Sequence, residues 1–341
     1  MELTARKEKI LGLVVEHYIE TGEPVGSKFL SDRFETSISS ATVRNEMSDL
    51  SYRGFLEQPY TSAGRIPSQL GYRYYIDRLM KSYIPQMSEQ YQMLSGIDRI
   101  AAVPEKVLKD ACSVLSDMTE CAVVATTPLD ERTEIKRAEL VPLGKNKAMI
   151  AIVTSTGVVK TDVCASYDGI DIGDAELFYN ICANDFTDKK AIEINLPRLQ
   201  SIVASLGDKA LNMSPILVSL YELASSSYEC ELIVKGQSNI LRHREYEGRV
   251  NEMSEFISDE KRLKRILRKF GDGVNVLLGT ESGYRETENS AIIACPYSIG
   301  DRPAGKIALI GPMRMDYARY TAELEFMCNT VNSVLETVNI N

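Results

Sequence analysis

Apolar residues in the first 85 positions recur at helical spacing and are separated by short polar or Gly-bearing stretches. This pattern predicts three helices, a short strand-like piece, a polar turn and a further helix. Their predicted bounds are residues 4–21, 27–34, 39–53, 55–58, 60–64 and from about 68 onward. Three helices followed by strand, loop and strand is the element order of a winged helix-turn-helix.

The third predicted helix has two chemically different faces. Val43, Met47 and Leu50 share one face at about 100° per residue, so we expect that face to be buried. The other side and its flanks hold small or hydrogen-bonding residues: Ala41, Thr42, Arg44, Asn45 and Ser48. Arg and Asn make bidentate bonds to guanine and adenine edges in a major groove, and Ser or Thr at a helix start suits phosphate contacts. The competing interpretation is a solvated helix face, and the neighbouring wing-like elements favour DNA.

A polar turn at residues 60–64 leads into Arg65. An arginine on a loop beside a recognition helix suits the negative potential of a narrow minor groove. Thr61, Ser62 and Arg65 are therefore candidate wing contacts. Candidates for contact with the DNA backbone lie on the helices: Lys28, Ser40 and Arg53.

Beyond residue 85, strand-like runs alternate with helical stretches. Strands are predicted over 121–126, 136–141, 148–154, 158–164, 230–234, 274–278, 291–296 and 307–310. Helices are predicted over 104–118, 175–183, 196–206, 215–223 and 316–338. A strand-rich body interrupted by a helical excursion predicts an α+β domain with an insert. Residues 80–100 are predicted to be a polar connector, with a hinge near Pro85.

The stretch KRLKRILRKF at residues 261–270 holds six Lys and Arg residues. Its apolar residues Leu263, Ile266, Leu267 and Phe270 follow the i, i+3, i+4, i+7 pattern of an amphipathic helix. A helix with a solvated basic face is therefore favoured over a second DNA contact.

Charge is unevenly distributed along the 341 residues, of which 44% are hydrophobic. The formal net charge is −9, yet residues 1–85 hold 11 Lys and Arg against 11 Asp and Glu, so the whole acidic excess lies beyond residue 85. Nucleic-acid binding along the entire chain is thereby disfavoured. Seven scattered cysteines without a CxxC pair predict reduced, mostly buried thiols.

Motifs for catalysis or for metal and cofactor binding are missing from the sequence. It has no Walker loop, GxGxxG or GxSxG, and its two histidines, His17 and His243, lie far apart. We therefore expect no enzyme, no metal and no cofactor. The charged start, MELTARKEKI, and the lack of a long apolar run predict a cytoplasmic protein that does not bind membranes.

Four stretches near the two chain ends carry a family resemblance: GEPVGSKFL at 22–30, SSATVRNEMSDL at 39–50, QPYTSAGRIPSQLGYRYYID at 58–77 and GKIALIGPMRMDYARY at 305–320. They closely resemble the HrcA family of bacterial heat-inducible transcription repressors. The resemblance implies a homodimer that represses chaperone operons by binding an inverted-repeat operator, the CIRCE element. It also implies a chaperonin as a modulator of the active form.

The implied architecture is an α+β multidomain protein with four parts. These are a winged helix-turn-helix domain (1–84), a linker (85–103), a GAF-like α+β domain (104–134 and 226–341) and an inserted, helix-rich α+β dimerisation domain (135–225). One alternative is a GAF-type regulator that senses a small molecule; it requires a pocket with a buried polar group among the C-terminal strands. The other is an interaction module whose winged helix binds a protein partner.

Overall fold

The computed structural model describes residues 3–34, 38–60, 63–98, 103–128, 132–144, 146–165, 169–228 and 230–339. The chain divides into two compact units. Residues 1–99, 107–126 and 232–339 contribute to the first unit, and residues 127–231 form nearly all of the second. Both units combine helices with antiparallel sheet, so the mixed helix and strand content predicted from the sequence is confirmed.

The helices alternate with strands along most of the chain. The α-helices are α1 (Ala5–Thr21), α2 (Ser27–Ser31), α3 (Ser40–Tyr52), α4 (Gln69–Tyr74), α5 (Met87–Ser95), α6 (Pro104–Thr119), α7 (Ile172–Asp185), α8 (Leu196–Ser205), α9 (Ala210–Tyr228), α10 (Val250–Ser258), α11 (Glu260–Leu267) and α12 (Tyr317–Asn339). The strands are β1 (Leu56–Glu57), β2 (Ile66–Pro67), β3 (Ala122–Thr126), β4 (Glu134–Gly144), β5 (Lys147–Thr154), β6 (Val159–Ala165), β7 (Lys189–Lys190), β8 (Leu232–Lys235), β9 (Asn275–Leu278), β10 (Ser290–Ile299) and β11 (Arg302–Pro312).

The first helices form where capping residues and apolar spacing agree. Thr4 Oγ1 accepts from the Lys7 amide at 3.4 Å, and Gly22 ends α1 in the left-handed conformation. The Ser39 hydroxyl accepts from the Thr42 amide at 3.1 Å and caps α3. The predicted second helix is shorter than expected and ends at Ser31.

Two α-helices, α5 and α10, were not predicted from the sequence. Within the predicted polar connector, α5 begins at a capping box in which the Glu89 carboxylate accepts from the Gln86 amide at 2.7 Å. Met93 is its one buried residue, so the apolar periodicity is too weak to reveal the helix from sequence.

The first unit contains a five-stranded antiparallel sheet in the order β8-β3-β11-β10-β9. Helix α12 packs on β10. On the other face, Phe256 and Leu267 of α10 and α11, together with Phe270, join a buried cluster with Ala294 and Ala308 of the sheet. Strands β3 and β8 pair although the whole second unit lies between them in sequence.

The amphipathic interpretation of residues 261–270 is confirmed. Leu263, Ile266 and Leu267 are buried in α11, and Phe270 is buried just beyond it. Two basic residues of α11 pair with nearby carboxylates: Arg262 with Glu286 at 2.7 Å and Lys264 with Glu260 at 3.8 Å.

The second unit contains a four-stranded antiparallel sheet in the order β6-β5-β4-β7. Burial alternates strictly along β5, where Ala148, Ile150 and Ile152 face an apolar core formed with α7, α8 and α9. This alternation is the signature of a sheet with one face covered. The predicted meander of residues 136–164 is thus confirmed, although its first strand, β4, is 11 residues long and extends beyond the predicted bounds of 136–141 at both ends.

Candidate nucleic-acid interface

Helix α3 separates a buried apolar face from an exposed polar one. Val43, Met47 and Leu50 are 0%, 4% and 0% exposed, and α3 packs against α1 and α2. The opposite side consists of exposed Ala41, Arg44, Asn45 and Ser48 with half-buried Thr42. We call these five residues the recognition face. Their shared surface was predicted from helical spacing, and the fold places them together on it.

Hydrogen bonds between hydroxyl groups fix the first turn of α3. The hydroxyls of Ser39 and Thr42 lie 2.9 Å apart. The hydroxyl of Ser40 lies 3.0 Å from that of Ser27 and thereby joins the starts of α3 and α2. Lys28 follows Ser27 and is exposed. The positive end of the α3 dipole therefore lies near a lysine, an arrangement that favours an anion.

The acidic residues in the middle of α3 are paired with cations of α1. Lys7 Nζ lies 3.1 Å from Glu46 Oε2 and 3.2 Å from Asp49 Oδ2. Arg6 lies 3.5 Å from Glu46. The two carboxylates raise the pKa of Lys7 above its ordinary value. Because each carboxylate has a cationic partner, α3 presents less negative potential to a phosphate than its sequence alone suggests.

The two short strands after α3 pair as β1 and β2, with Leu56 opposite Pro67 and Glu57 opposite Ile66. Arg65 and Val25 also exchange backbone hydrogen bonds, both of 2.9 Å. A Cβ on Gly64 would lie 2.3 Å from the Val25 carbonyl oxygen, so this close approach needs glycine.

Arg65 is held against α3. Its Nε donates to the Ser51 hydroxyl at 2.9 Å, and its Nη1 donates to the Gly64 carbonyl at 3.4 Å. The sequence suggested a mobile arginine on a loop. The backbone pairing with Val25 explains the difference, because it fixes Arg65 in a strand-like position. Thr61 and Ser62, the other predicted wing contacts, lie outside the described residues.

Arg53 follows the end of α3. Its Nη1 lies 4.0 Å from Asp49 Oδ2, and its guanidinium carbon lies 5.8 Å from the centre of the Phe55 ring. Arg53 is half-buried, and part of its side chain packs on the protein.

Two kinds of residue near this surface were not proposed as DNA contacts from the sequence, although helical spacing already placed Tyr52 on the exposed side of α3. The exposed Arg33 stacks on Phe29 with 4.3 Å between its guanidinium carbon and the ring centre. Tyr52 and Tyr60 are 91% and 61% exposed at the end of α3 and beyond β1. The i, i+4 spacing of Phe29 and Arg33 was the available signal.

Among the described residues, no group of three or more His, Cys, Asp and Glu side chains could hold a metal ion. The His17 ring packs on the Phe29 ring at 4.1 Å between centres. Six of the seven cysteines are buried and free, as predicted. None of the described helices is long and apolar enough to cross a membrane.

Comparison with known proteins bears on the whole chain. A family model described as the HrcA protein C-terminal domain matches residues 105–321. This chain belongs to the HrcA family. The heat-inducible transcription repressor HrcA of Caldanaerobacter subterraneus subsp. tengcongensis is 32% identical over 342 residues, which cover 99% of this chain and 98% of the relative. The repressor of the same name from Clostridium tetani is 32% identical over 344 residues, covering 100% and 98%.

A solved structure shares the fold of the HrcA-family chain. The crystal structure of a hypothetical protein superposes with a TM-score of 0.69 at 24% identity, covering 99% of this chain and 100% of that one. The family predicted from the four sequence stretches is confirmed. Its members are heat-inducible transcription repressors, so the chain is a transcription regulator and not an enzyme.

Proposed function

We propose that this HrcA-family chain is a homodimer that represses heat-shock (chaperone) operons by binding an inverted-repeat operator, the CIRCE element. Residues 1–84 act as a winged helix-turn-helix domain and 85–103 as a linker. Residues 104–134 and 226–341 form a GAF-like domain, and 135–225 form an inserted dimerisation domain. The observation that carries the proposal is the exposed, polar recognition face of α3 opposite its buried apolar face.

The recognition face suits a major groove. Arg44 and Asn45 are adjacent and exposed, and they match the bidentate donors and acceptors of guanine and adenine edges. Ala41 is small enough to let the helix approach closely, and a methyl group suits contact with thymine. Thr42 and Ser48 supply hydroxyl groups on the two sides of the recognition face.

The proposed contacts with the DNA backbone surround the recognition face. Lys28 and Ser40 lie at the joined starts of α2 and α3, where amide groups and a cation favour phosphate. Arg53 contributes at the other end of α3, and Thr61, Ser62 and Arg65 contribute from the wing. Because Arg65 is bonded to Ser51, we assign it to a backbone phosphate beside α3.

Support for the homodimer comes from the second unit. The sheet side that faces away from α7, α8 and α9 carries six apolar residues on its three long strands, Val141, Met149, Ala151, Val153, Val159 and Val163, interrupted by Arg137, Glu139 and Thr161. We call these six residues the outer face. In register, Val141 pairs with Met149 and Met149 with Val163. An exposed apolar patch of this kind marks an interaction surface, and a second copy of the chain supplies a self-complementary one.

A chaperonin that modulates the active form completes the proposal, together with a cytoplasmic location. Both follow from the role implied by the family. The ligand-sensing alternative requires a pocket with a buried polar group among the C-terminal strands, where described side chains of β10 and β11 instead pack into an apolar cluster with α10 and α11.

Fluorescence anisotropy with two labelled duplexes tests the proposal. One carries the inverted repeat, and the other has the same length and composition in scrambled order, at about 150 mM salt. We expect the inverted repeat to bind at least about a thousandfold more tightly, the lower end for specific DNA readers. Equal affinity for the two duplexes would contradict the proposal and favour an interaction module with a protein partner.

A further inference from the structure

Residues 3–79, called the reader below, are attached to residues 232–339, called the body, within the first unit. Arg73 of α4 donates from Nε to Glu281 Oε1 at 3.1 Å, and its Nη2 pairs with Glu281 Oε2. The same Nη2 donates to the Val276 carbonyl at 2.8 Å. A two-pronged pair between guanidinium and carboxylate fixes direction as well as distance.

Gln69 strengthens this attachment one turn earlier on α4. Its Nε2 donates to the Leu278 carbonyl at 2.9 Å, and its Oε1 accepts from the Thr280 hydroxyl at 3.2 Å. Gly279 lies between Leu278 and Thr280 and has a φ of +49°. A Cβ on Gly279 would lie 2.6 Å from Gln69 Oε1. The turn of the body therefore approaches α4 as closely as glycine allows.

Arg314 makes a second attachment at the end of α1. Its Nε donates to Glu245 Oε1 at 2.8 Å, and its Nη1 donates to the Ile19 carbonyl at 2.9 Å. Ile19 lies in the last turn of α1, where carbonyl groups lack a partner within the helix. Since α1 and α4 are each tied to the body, the reader cannot turn about either attachment alone.

Apolar packing between reader and body is incomplete. The rings of Tyr72 and Tyr317 touch, with 5.8 Å between their centres. A cleft of about 380 Å³ opens nearby, lined in part by Gln69, Tyr72, Met313 and Arg314. A gap removes the dispersion contacts that would otherwise hold one orientation. The polar attachments beside this cleft add a directional restraint to the aromatic contact.

We propose that Arg73 and Arg314 are positioning residues that hold each reader at a fixed angle on its body and so restrict a dimer to one spacing of the operator half-sites. This rests on the proposed binding of an inverted repeat. Neither arginine belongs to the recognition face, so both act through the direction of α3. Rigidly held readers engage two half-sites as one event, whereas loosely held readers engage them almost independently.

The test measures affinity for inverted repeats whose central spacer changes one base pair at a time, and for a duplex with a single half-site. The unaltered protein should show a sharp optimum. Arg73→Ala and Glu281→Gln should each flatten the optimum of affinity against spacer length. Affinity at the best spacing should fall about tenfold, while affinity for the single half-site should change by less than about twofold. Glu281→Gln leaves every reader residue in place, so a lost DNA contact cannot explain its effect.

Arg78→Ala is the matched control, because Arg78 is an exposed arginine on the helical segment that continues α4. It should keep the sharp optimum. If Arg73→Ala does not fold, Arg73→Lys replaces it, since lysine keeps the charge and loses the two-pronged geometry. An unchanged spacing dependence in these variants would overturn the inference. So would a loss of affinity for the single half-site duplex as large as the loss for the inverted repeat. An unaltered protein that does not prefer the inverted repeat contradicts the proposed function instead.

Discussion

Helix α3 and strand β6 each have an exposed face with a different chemistry. The exposed side of α3 carries Arg44 and Asn45, whereas that of β6 carries Val159 and Val163, which are 60% and 57% exposed. Polar side chains are well solvated alone and gain from a partner that offers matching hydrogen bonds. Exposed valines gain from any partner that removes them from water. We therefore assign specificity to the first surface and dimerisation to the second.

The largest effect is expected from a charge placed on the apolar surface. Val163→Asp brings a carboxylate into the proposed dimer contact, where its desolvation opposes association. We expect monomers, measured by light scattering after size exclusion, and an operator affinity lower by about a hundredfold or more because the two readers are no longer linked.

Leu211→Asp is the control, since Leu211 is an exposed apolar residue of α9 in the same unit. It should leave the dimer intact. A Val163→Asp protein that remains dimeric would show that the outer face does not hold the two copies together.

A smaller effect is expected on the polar surface. Arg44→Ala should weaken operator binding by about 1–3 kcal/mol, or roughly ten- to a hundredfold, if Arg44 reads a guanine. The dimer should persist, because the recognition face lies outside the proposed dimer contact. Anisotropy on the operator and light scattering measure the two quantities separately.

Arg6→Ala removes the same charge from α1 and is the control, since Lys7 still pairs with Glu46. If the Arg44→Ala protein binds the operator as tightly as the Arg6→Ala protein does, Arg44 does not belong to the recognition face.

The smallest effect is expected at the edge of the polar surface. Lys28→Ala should reduce the slope of log affinity against log salt concentration by about one, the value for a single phosphate contact. Preference for the operator over scrambled DNA should stay the same. A change in that preference would mean that Lys28 contacts a base.

Local signals in the sequence predicted the recognition face. The helix-capping serine before α3 and the spacing of Val43, Met47 and Leu50 lie within a dozen residues, and these short-range features determine which side of α3 is buried. Arg65 could not be placed in the same way, because its position depends on pairing with Val25, forty residues earlier.

The contacts that attach the reader to the body could not be predicted from the sequence. Arg73 and Arg314 both lie in stretches that carry the family resemblance, yet their partners Glu281 and Ile19 are more than two hundred residues away. No periodicity connects such positions. Helix α5 was missed for the opposite reason, since it is stabilised by a local cap and has only one buried side chain, Met93.

The central claim is that the recognition face of α3 reads bases, and a combined protein and DNA substitution series tests it most directly. Affinities are measured for the unaltered protein, Arg44→Ala and Asn45→Ala against operators with one symmetric base-pair change at a time. We predict that each variant becomes indifferent to one base pair per half-site, at which the unaltered protein loses about 1–3 kcal/mol. Variants that keep the full base-pair preferences of the unaltered protein would contradict the claim.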